Sequence, residues 1–229
     1  MGKLVVLDGT DGAGKDTQTE LLIQAAREQG FSVGQIRYPS AGETLSGKFL
    51  RGEFLTGKLG EIDSCHPKLV AYPYIVDRYE QQPHLNQLLA ENDLVVANRY
   101  VISTIAYQGA GLPPQERPDF RRWVEEFEYE VMGSPREDLV IFLSLPVALS
   151  AVLVEKRKGS MPATRDIFDE NQQFQETVLN EYRALCAMHG HWYEVQCDQR
   201  DELRTIEAIA TDIQSLVFNT VLAPAEEAV

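Results

Sequence analysis

The stretch VVLDGTDGAGKDT, residues 5–17, decides the fold of this chain. It begins with an apolar run, continues with a glycine-rich turn, and leads through Lys15 into a segment with helical periodicity. This order matches a phosphate-binding loop, except that Asp16 stands where a Ser or Thr is usual. Such a turn directs backbone N–H groups toward an anion at a helix N-terminus, so we expect a polyphosphate cradle rather than a ligand-free turn. The expected cradle consists of Gly9, Thr10, Asp11, Gly12, Ala13, Gly14, Lys15, Asp16 and Thr17.

Apolar runs alternate with helical segments along the rest of the chain. The predicted strands are 4–7, 32–38, 94–97, 139–145 and 192–195. The predicted helices are 15–29, 43–55, 67–91, 101–108, 114–131, 146–156, 171–189 and 201–219. Pro73 should kink or split the third helix, because proline removes a backbone donor. The alternation predicts an α/β fold with a five-stranded parallel sheet and helices on both faces.

Composition limits the kinds of partner. The chain has 229 residues, of which 44% are hydrophobic, and we expect one domain over residues 1–220 and a disordered tail at 221–229. A formal charge of −14 argues against nucleic acid polymers and anionic membranes, but a small nucleotide can be held by a local basic cluster. Three cysteines without metal-ligand spacing, and no signal-peptide profile, predict a cytoplasmic protein.

Five segments in a fixed order give the chain a family resemblance. DGAGK at residues 11–15, YP at 38–39, DRYEQ at 77–81, NRYVISTIAYQG at 98–109 and DENQQFQE at 169–176 together resemble the thymidylate kinase family. The resemblance runs from about residue 3 to residue 212. It implies a P-loop kinase fold with a small lid, ATP-dependent phosphorylation of dTMP to dTDP, magnesium as cofactor, and a homodimer. Two alternatives stay open: a kinase for another deoxynucleoside monophosphate such as dUMP, and a non-catalytic nucleotide-binding regulator.

The resemblance also implies roles at the acceptor phosphate. Lys15 would follow the transferred phosphoryl group, as in other P-loop enzymes. Asp11 would reach the 3′-hydroxyl of the acceptor and the metal region, and Arg99 would grip the acceptor phosphate with its planar fork. Arg37 and Pro39 would shape the same phosphate pocket, although the two residues that follow Pro39 add no basic side chain.

The acceptor base is expected on the long third helix and the segment after Arg99. Tyr74 would stack on thymine, and Arg78, one helical turn later, would donate to a carbonyl oxygen of the base. Tyr107 would crowd the 2′ position of the sugar and so favour deoxyribose. The remaining polar residues expected at the base are Ser103, Thr104 and Gln108.

A basic segment matches the position of the family's lid, at about residues 157–168. A closing lid excludes water and brings positive charge to the transition state. Because Gly12 stands where some relatives carry an arginine, the resemblance implies a catalytic arginine in the lid, either Arg157 or Arg165. Glu170 aligns with a glutamate that flanks the lid. A solvated run of charge is the alternative interpretation.

Asp16 and Asn98 suggest a compensated exchange. Most relatives carry a neutral hydroxyl at the first position and an acid immediately before the phosphate-gripping arginine, whereas here the acid is Asp16 and the amide is Asn98. The two positions should lie near one metal, so their total charge is the same as in relatives. We expect magnesium to be held by Asp16 and Asp11.

Overall fold

The computed structural model describes residues 1–60, 65–158, 172–200 and 202–222, except for the side chains of residues 155–158. A five-stranded parallel sheet forms the centre of the fold. The strands are β1 Lys3–Gly9, β2 Val33–Arg37, β3 Leu94–Asn98, β4 Leu139–Ser144 and β5 Trp192–Gln196. Their order in the sheet is β2-β3-β1-β4-β5, and every neighbouring pair is parallel. The predicted fold class and all five predicted strands are confirmed.

The sheet register determines where the site can form. Leu7 on β1 pairs with Asn98 at the end of β3, and Arg37 at the end of β2 pairs with the same Asn98. The carboxyl ends of these three strands therefore meet at one edge, which is where parallel α/β sheets bind ligands. β1, β3 and β4 are almost continuously apolar because helices cover both faces of the sheet.

Helices pack on both faces. They are α1 Lys15–Glu28, α2 Leu45–Phe49, α3 Pro67–Glu91, α4 Val101–Ala110, α5 Arg117–Glu125, α6 Val147–Lys158, α7 Gln172–Met188 and α8 Ile206–Thr220. One core cluster joins the sheet to α3, α4 and α7 through buried residues such as Ile75, Ile105 and Tyr182. The other joins it to α1 and α8 through residues such as Leu22 and Ile213.

Three predicted helices differ from those observed. The segment 43–55 forms α2 followed by a π-helical turn, Leu50–Phe54, and 114–131 forms α5 followed by a second π-helical turn, Glu126–Val131. The last helix begins at Ile206, where Thr205 caps it by accepting from the Ala208 N–H. The predicted start at Asp201 lies outside the described residues, and a short hairpin of β6 Asp198–Gln199 and β7 Glu202–Leu203 precedes the helix. Arg200, with φ of 56°, forms part of its turn.

Pro73 does not split the third helix, and the kink expected there stays a prediction. α3 runs as one element from Pro67 to Glu91, with Pro73 and Pro83 inside it. Its buried residues on either side of Pro73, including Ala71 and Ile75, pack into the core on the α3 face of the sheet. Tertiary packing therefore outweighs the loss of one backbone donor.

Among the described residues, no helix has the length and apolar character needed to span a bilayer.

Candidate active site

A cavity of about 270 Å³ opens at the carboxyl edge of the sheet. It is bounded by the loop after β1, the segment after β2, and helices α3 and α4. The predicted site residues that line it are Asp11, Gly12, Gly14, Lys15, Asp16, Arg37, Pro39, Tyr74, Arg78, Arg99, Ser103, Thr104, Tyr107 and Gln108. The expected phosphate residues and the expected base residues thus share one cavity. Gly9, Thr10, Ala13 and Thr17 belong to the same loop and helix start but do not line the cavity.

The glycine loop packs closely against α6. Gly12 has φ of 82°, and a Cβ built there would lie 3.0 Å from the Ser150 carbonyl oxygen and 3.1 Å from a Val154 methyl group. The Ser150 hydroxyl donates to the carbonyl oxygen of Asp11. A side chain at position 12 would therefore be both strained and crowded, so this loop requires glycine there.

Lys15 is held inside the loop at the first position of α1. Its Nζ donates to the carbonyl oxygens of Gly9 at 3.0 Å and Thr10 at 2.8 Å, and lies 3.8 Å from Oδ1 of Asp11. Burial, and then the positive charge of Arg99, lower the pKa of Lys15 to about 8 despite nearby carboxylates. The positive charge of the Lys15 ammonium group is thus incompletely balanced by its surroundings, as expected for a group that binds a phosphate oxygen.

Arg99 follows β3 in a backbone conformation that non-glycine residues rarely adopt, with φ of 66°. Its Nη2 donates to Asp11 Oδ1 at 2.7 Å, and its Nη1 lies 3.4 Å from Oδ1 of the buried Asp8. Asp8 is fixed by Ser103 and Tyr182, whose hydroxyls donate to it at 2.6 and 2.9 Å. Burial alone would lower the pKa of Arg99, but Tyr107, Asp11 and Asp8 raise it, so the side chain is a fixed cation at the cavity wall. Strained residues of this kind cluster at active sites.

Asp16 and Asn98 are in direct contact. Nδ2 of Asn98 donates to Oδ1 of Asp16 at 2.7 Å, and the same oxygen forms an ion pair with Arg37. The Asp16 side chain is 53% exposed and lines the cavity. The proximity that the compensated exchange requires is therefore present. Its effect on catalysis stays a prediction.

The oxygen donors here suit magnesium better than a softer metal. In the described part of the chain, no group of three or more His, Cys, Asp or Glu side chains could enclose a metal ion. Magnesium needs no such cage, since one or two carboxylates together with phosphate oxygens and water complete its six ligands. Asp16 and the partly exposed Asp11 border the same cavity next to the phosphate loop, so the residues present fit this ion.

Arg51 lines the cavity and was missed by the sequence analysis. Its Nε donates to the Ser40 carbonyl oxygen at 2.7 Å and its Nη2 to that of Pro39 at 2.6 Å. Burial, and then repulsion from Arg37, lower its pKa. Arg51 thus brings to this pocket the additional basic side chain that the residues after Pro39 do not supply. No local pattern predicted this contact. Arg51 lies in the π-helical turn that follows α2, and it reaches the segment at Pro39 only because α2 folds back toward that segment.

Arg78 also lines the cavity and is almost fully buried. Its Nη2 donates to Thr104 Oγ1 at 2.8 Å, and its Nε to the buried carboxylate of Glu128 at 2.6 Å. Burial alone would lower the pKa of Arg78, but Glu128 raises it. Tyr74 packs edge-on against Phe54, with ring centroids 6.0 Å apart. Asn98, which was expected beside Asp16, also lines the cavity, and the other lining residues absent from the predicted set are Tyr38, Leu55, Asp77 and Tyr100.

The lid residues cannot be placed from the described part of the chain. Arg157 falls within α6, but its side chain is not among those described. Arg165 and Glu170 lie outside the described residues. Their assigned roles stay predictions from the resemblance.

Comparison with known proteins gives a consistent result. A family model described as thymidylate kinase matches residues 7–207. A probable thymidylate kinase of Thermococcus gammatolerans is 32% identical, covering 97% of this chain and 99% of that protein. The human thymidylate kinase is 28% identical, covering 99% and 94% of the two chains. The solved structure of the Candida albicans thymidylate kinase, at 21% identity, superposes with a TM-score of 0.72 and covers 95% of this chain and 92% of that one, so it shares the fold.

Proposed function

The chain belongs to the thymidylate kinase family, and we propose that it transfers the γ-phosphoryl group of ATP to the 5′-phosphate of dTMP, giving dTDP and ADP. The observation that carries the proposal is that one cavity is lined both by the phosphate loop with Arg99 and by the expected base residues Arg78 and Thr104. Its volume of about 270 Å³ suits a small-molecule ligand, and we place one nucleoside monophosphate there with its phosphate toward the loop. Steady-state formation of ADP with dTMP as acceptor tests it.

In this proposal the protein contributes position and charge. The N–H groups of the loop and Lys15 hold the phosphates of ATP, and Arg99, with Arg37 and Arg51 beside it, holds the acceptor phosphate for in-line attack. Asp11 fixes Arg99 at 2.7 Å and orients the acceptor near the sugar. No covalent intermediate on the protein is required, because the transferred group passes directly between the two nucleotides.

Magnesium would be held by Asp16 and Asp11 together with phosphate oxygens. When bound with ATP, the ion supplies charge neutralisation at the β- and γ-phosphates. The support from this chain is the pair of oxygen donors beside the phosphate loop, where Asn98 orients the Asp16 carboxylate through a 2.7 Å hydrogen bond.

Tyr107 is proposed to exclude a 2′-hydroxyl. Its ring lies on the cavity wall, 5.3 Å from the Arg99 guanidinium carbon, and packs edge-on against Tyr182. We expect Tyr107→Ala to raise kcat/KM for the acceptor that carries a 2′-hydroxyl, relative to dTMP, by about tenfold. An effect of this size is typical of one small substrate group in a pocket. Tyr107→Phe keeps the ring and should retain the native ratio. An unchanged ratio in Tyr107→Ala would assign this side chain to core packing instead.

Two other functions remain to be tested. A kinase for dUMP differs from a dTMP kinase by one methyl group of the acceptor, which is worth only about 1–3 kcal/mol. A non-catalytic regulator is suggested by the unusual residues Asp16 and Asn98. The regulator would bind ATP without releasing ADP in the presence of any monophosphate.

A homodimer through α3 is part of the proposal. Leu69, Tyr72, Val76 and Tyr79 are 63%, 40%, 36% and 51% exposed, and their spacing puts them on one face of this helix. An apolar helix face of this length is typical of an interface between subunits. Sedimentation velocity should therefore give about twice the chain mass of 25.8 kDa.

Leu69→Glu should shift the sedimenting species to the monomer, because it buries a charge in the proposed interface. Leu203→Glu is the matched control, since Leu203 is 44% exposed and belongs to β7 of the β6–β7 hairpin rather than to α3. A native protein that sediments as a monomer, or a Leu69→Glu variant that stays dimeric, would contradict this interface.

The remaining assignments are also proposals. Residues 1–220 would form one kinase domain with a lid at about 157–168, supported by the family match over residues 7–207. The lid would supply Arg157 or Arg165 to the transition state, with Glu170 beside it. A cytoplasmic location is supported by the three cysteines, which are all free thiols in the structure.

A further inference from the structure

Glu128 lies within the π-helical turn Glu126–Val131 and contacts Arg78, which lines the cavity. Its side chain is fully buried. Oε1 accepts from Arg78 Nε at 2.6 Å and lies 2.5 Å from Nη2, while Oε2 accepts from the Ser134 hydroxyl at 3.0 Å. Ser134 also donates its backbone N–H to the Glu128 carbonyl oxygen at 2.9 Å. The carboxylate is therefore held on both of its oxygens.

Stability alone is a weak reason for this ion pair. Burying two charges costs solvation, and well-packed apolar residues of similar size are often as stable or more stable. The pair lies against the candidate base site, because Arg78 lines the cavity. A fixed orientation of the guanidinium gives a functional reason for the buried carboxylate.

The remaining donors of Arg78 show which group it can serve. Glu128 and Thr104 engage Nε and Nη2, whereas the contact of Nη1 with the Tyr100 carbonyl oxygen is long, at 3.5 Å. A guanidinium has five N–H groups and no acceptor, so the Nη1 end can bind only an acceptor atom. Because Glu128 balances the charge of Arg78, the part of the cavity wall that Arg78 forms suits a neutral base.

We propose that Glu128 is a positioning and specificity-determining residue: it fixes Arg78 so that the base site accepts a pyrimidine with a carbonyl oxygen at the contacted position and rejects one with an amino group there. This rests on the proposed function, since it concerns the acceptor of that reaction. An amino group facing Nη1 would place two buried hydrogen-bond donors against each other without an acceptor, which costs binding free energy. A carbonyl oxygen at the same position would accept a hydrogen bond from Nη1. Without Glu128 the guanidinium can turn away, and the discrimination falls.

The test compares Glu128→Gln with Glu130→Gln. Glu130 lies in the same π-helical turn, but its side chain is 65% exposed and pairs with Arg136 on the surface. Dissociation constants for dTMP, dCMP and ATP are measured by calorimetry or competition. We expect Glu128→Gln to bind dTMP about 10- to 100-fold more weakly, the effect of losing one charged hydrogen bond, and to lower the preference for dTMP over dCMP by about tenfold or more. ATP binding should not change, and Glu130→Gln should behave as the native protein.

The preference for dTMP over dCMP distinguishes positioning from a merely structural role, because loss of folded protein lowers the binding of both acceptors equally. If Glu128→Gln does not fold, Glu128→Asp keeps the charge but withdraws the carboxylate, and the same fall in preference is expected. An unchanged preference in the folded variant overturns the proposal while leaving dTMP turnover by the native chain intact. Absence of dTMP turnover by the native chain would instead remove the proposed function.

Discussion

Lys15→Met is expected to lower kcat by about 10³-fold or more while leaving the fold intact. Lys15 Nζ lies among the loop carbonyl oxygens, 2.8 Å from that of Thr10, where it can follow the phosphoryl group as charge moves between the nucleotides. Methionine keeps most of the length and volume of the side chain but cannot supply the charge. ADP release with saturating ATP and dTMP measures the loss, and a thermal unfolding curve checks the fold.

Lys3→Met is the matched control for that experiment. Lys3 begins β1, the strand that leads into the glycine loop, and lies at the opposite edge of the sheet from Lys15, where it pairs with Asp138 on the surface. Turnover close to the native rate is expected for this control. If Lys15→Met retains substantial activity, the glycine loop has no part in the phosphoryl transfer and the account of the site is wrong.

The second large effect on kcat/KM is expected from substitutions at Asp16 and Asn98. Asp16→Ser removes the carboxylate proposed to meet magnesium, and Asn98→Asp puts a second carboxylate where the amide now donates to Asp16 at 2.7 Å. Two carboxylates about 4 Å apart repel by about 4 kcal/mol at an effective dielectric constant of 20, before any screening by the metal. Each single substitution should therefore lower kcat/KM by about 10- to 1,000-fold.

The double variant, Asp16→Ser with Asn98→Asp, should recover much of the activity lost in the single variants, because it restores one acid and one neutral group. Arg37 strengthens this expectation. In the native chain Arg37 forms an ion pair with Asp16, and it is also the β2 neighbour of position 98 on β3, so it can pair with an aspartate at position 98 instead. A double variant as poor as the product of the two singles would refute the compensated exchange, as would two singles of native activity.

The sequence predicted the sheet well because its strands are buried on both faces. β1, β3 and β4 appear as short, nearly unbroken apolar runs, and the segments between them are long enough for crossover helices. The π-helical turns Leu50–Phe54 and Glu126–Val131 left no such signature, because each is only about one turn long, which is too short to establish a periodicity of its own. The β6–β7 hairpin is only two residues long on each side, which is too short for an alternating pattern.

The candidate site was predictable where residues follow strand ends directly. Asp11, Arg37 and Arg99 come just after or at the ends of β1, β2 and β3, so the parallel topology brings them together. Arg51 and Glu128 could not be predicted in this way. Arg51 reaches the loop at Pro39 only through α2, and Glu128 meets Arg78 across 50 residues of sequence. Contacts of this kind depend on tertiary packing that no local pattern records.

The most direct test of the account is the release of ADP by the purified chain with ATP, magnesium and a panel of acceptors: dTMP, dUMP, dCMP, dGMP and the ribonucleotide UMP. We expect turnover with the highest kcat/KM for dTMP, lower values for dUMP and much lower values for the other three. ATP binding without turnover on any acceptor would contradict it in favour of a nucleotide-binding regulator, and a higher kcat/KM for another monophosphate would contradict the assignment of dTMP.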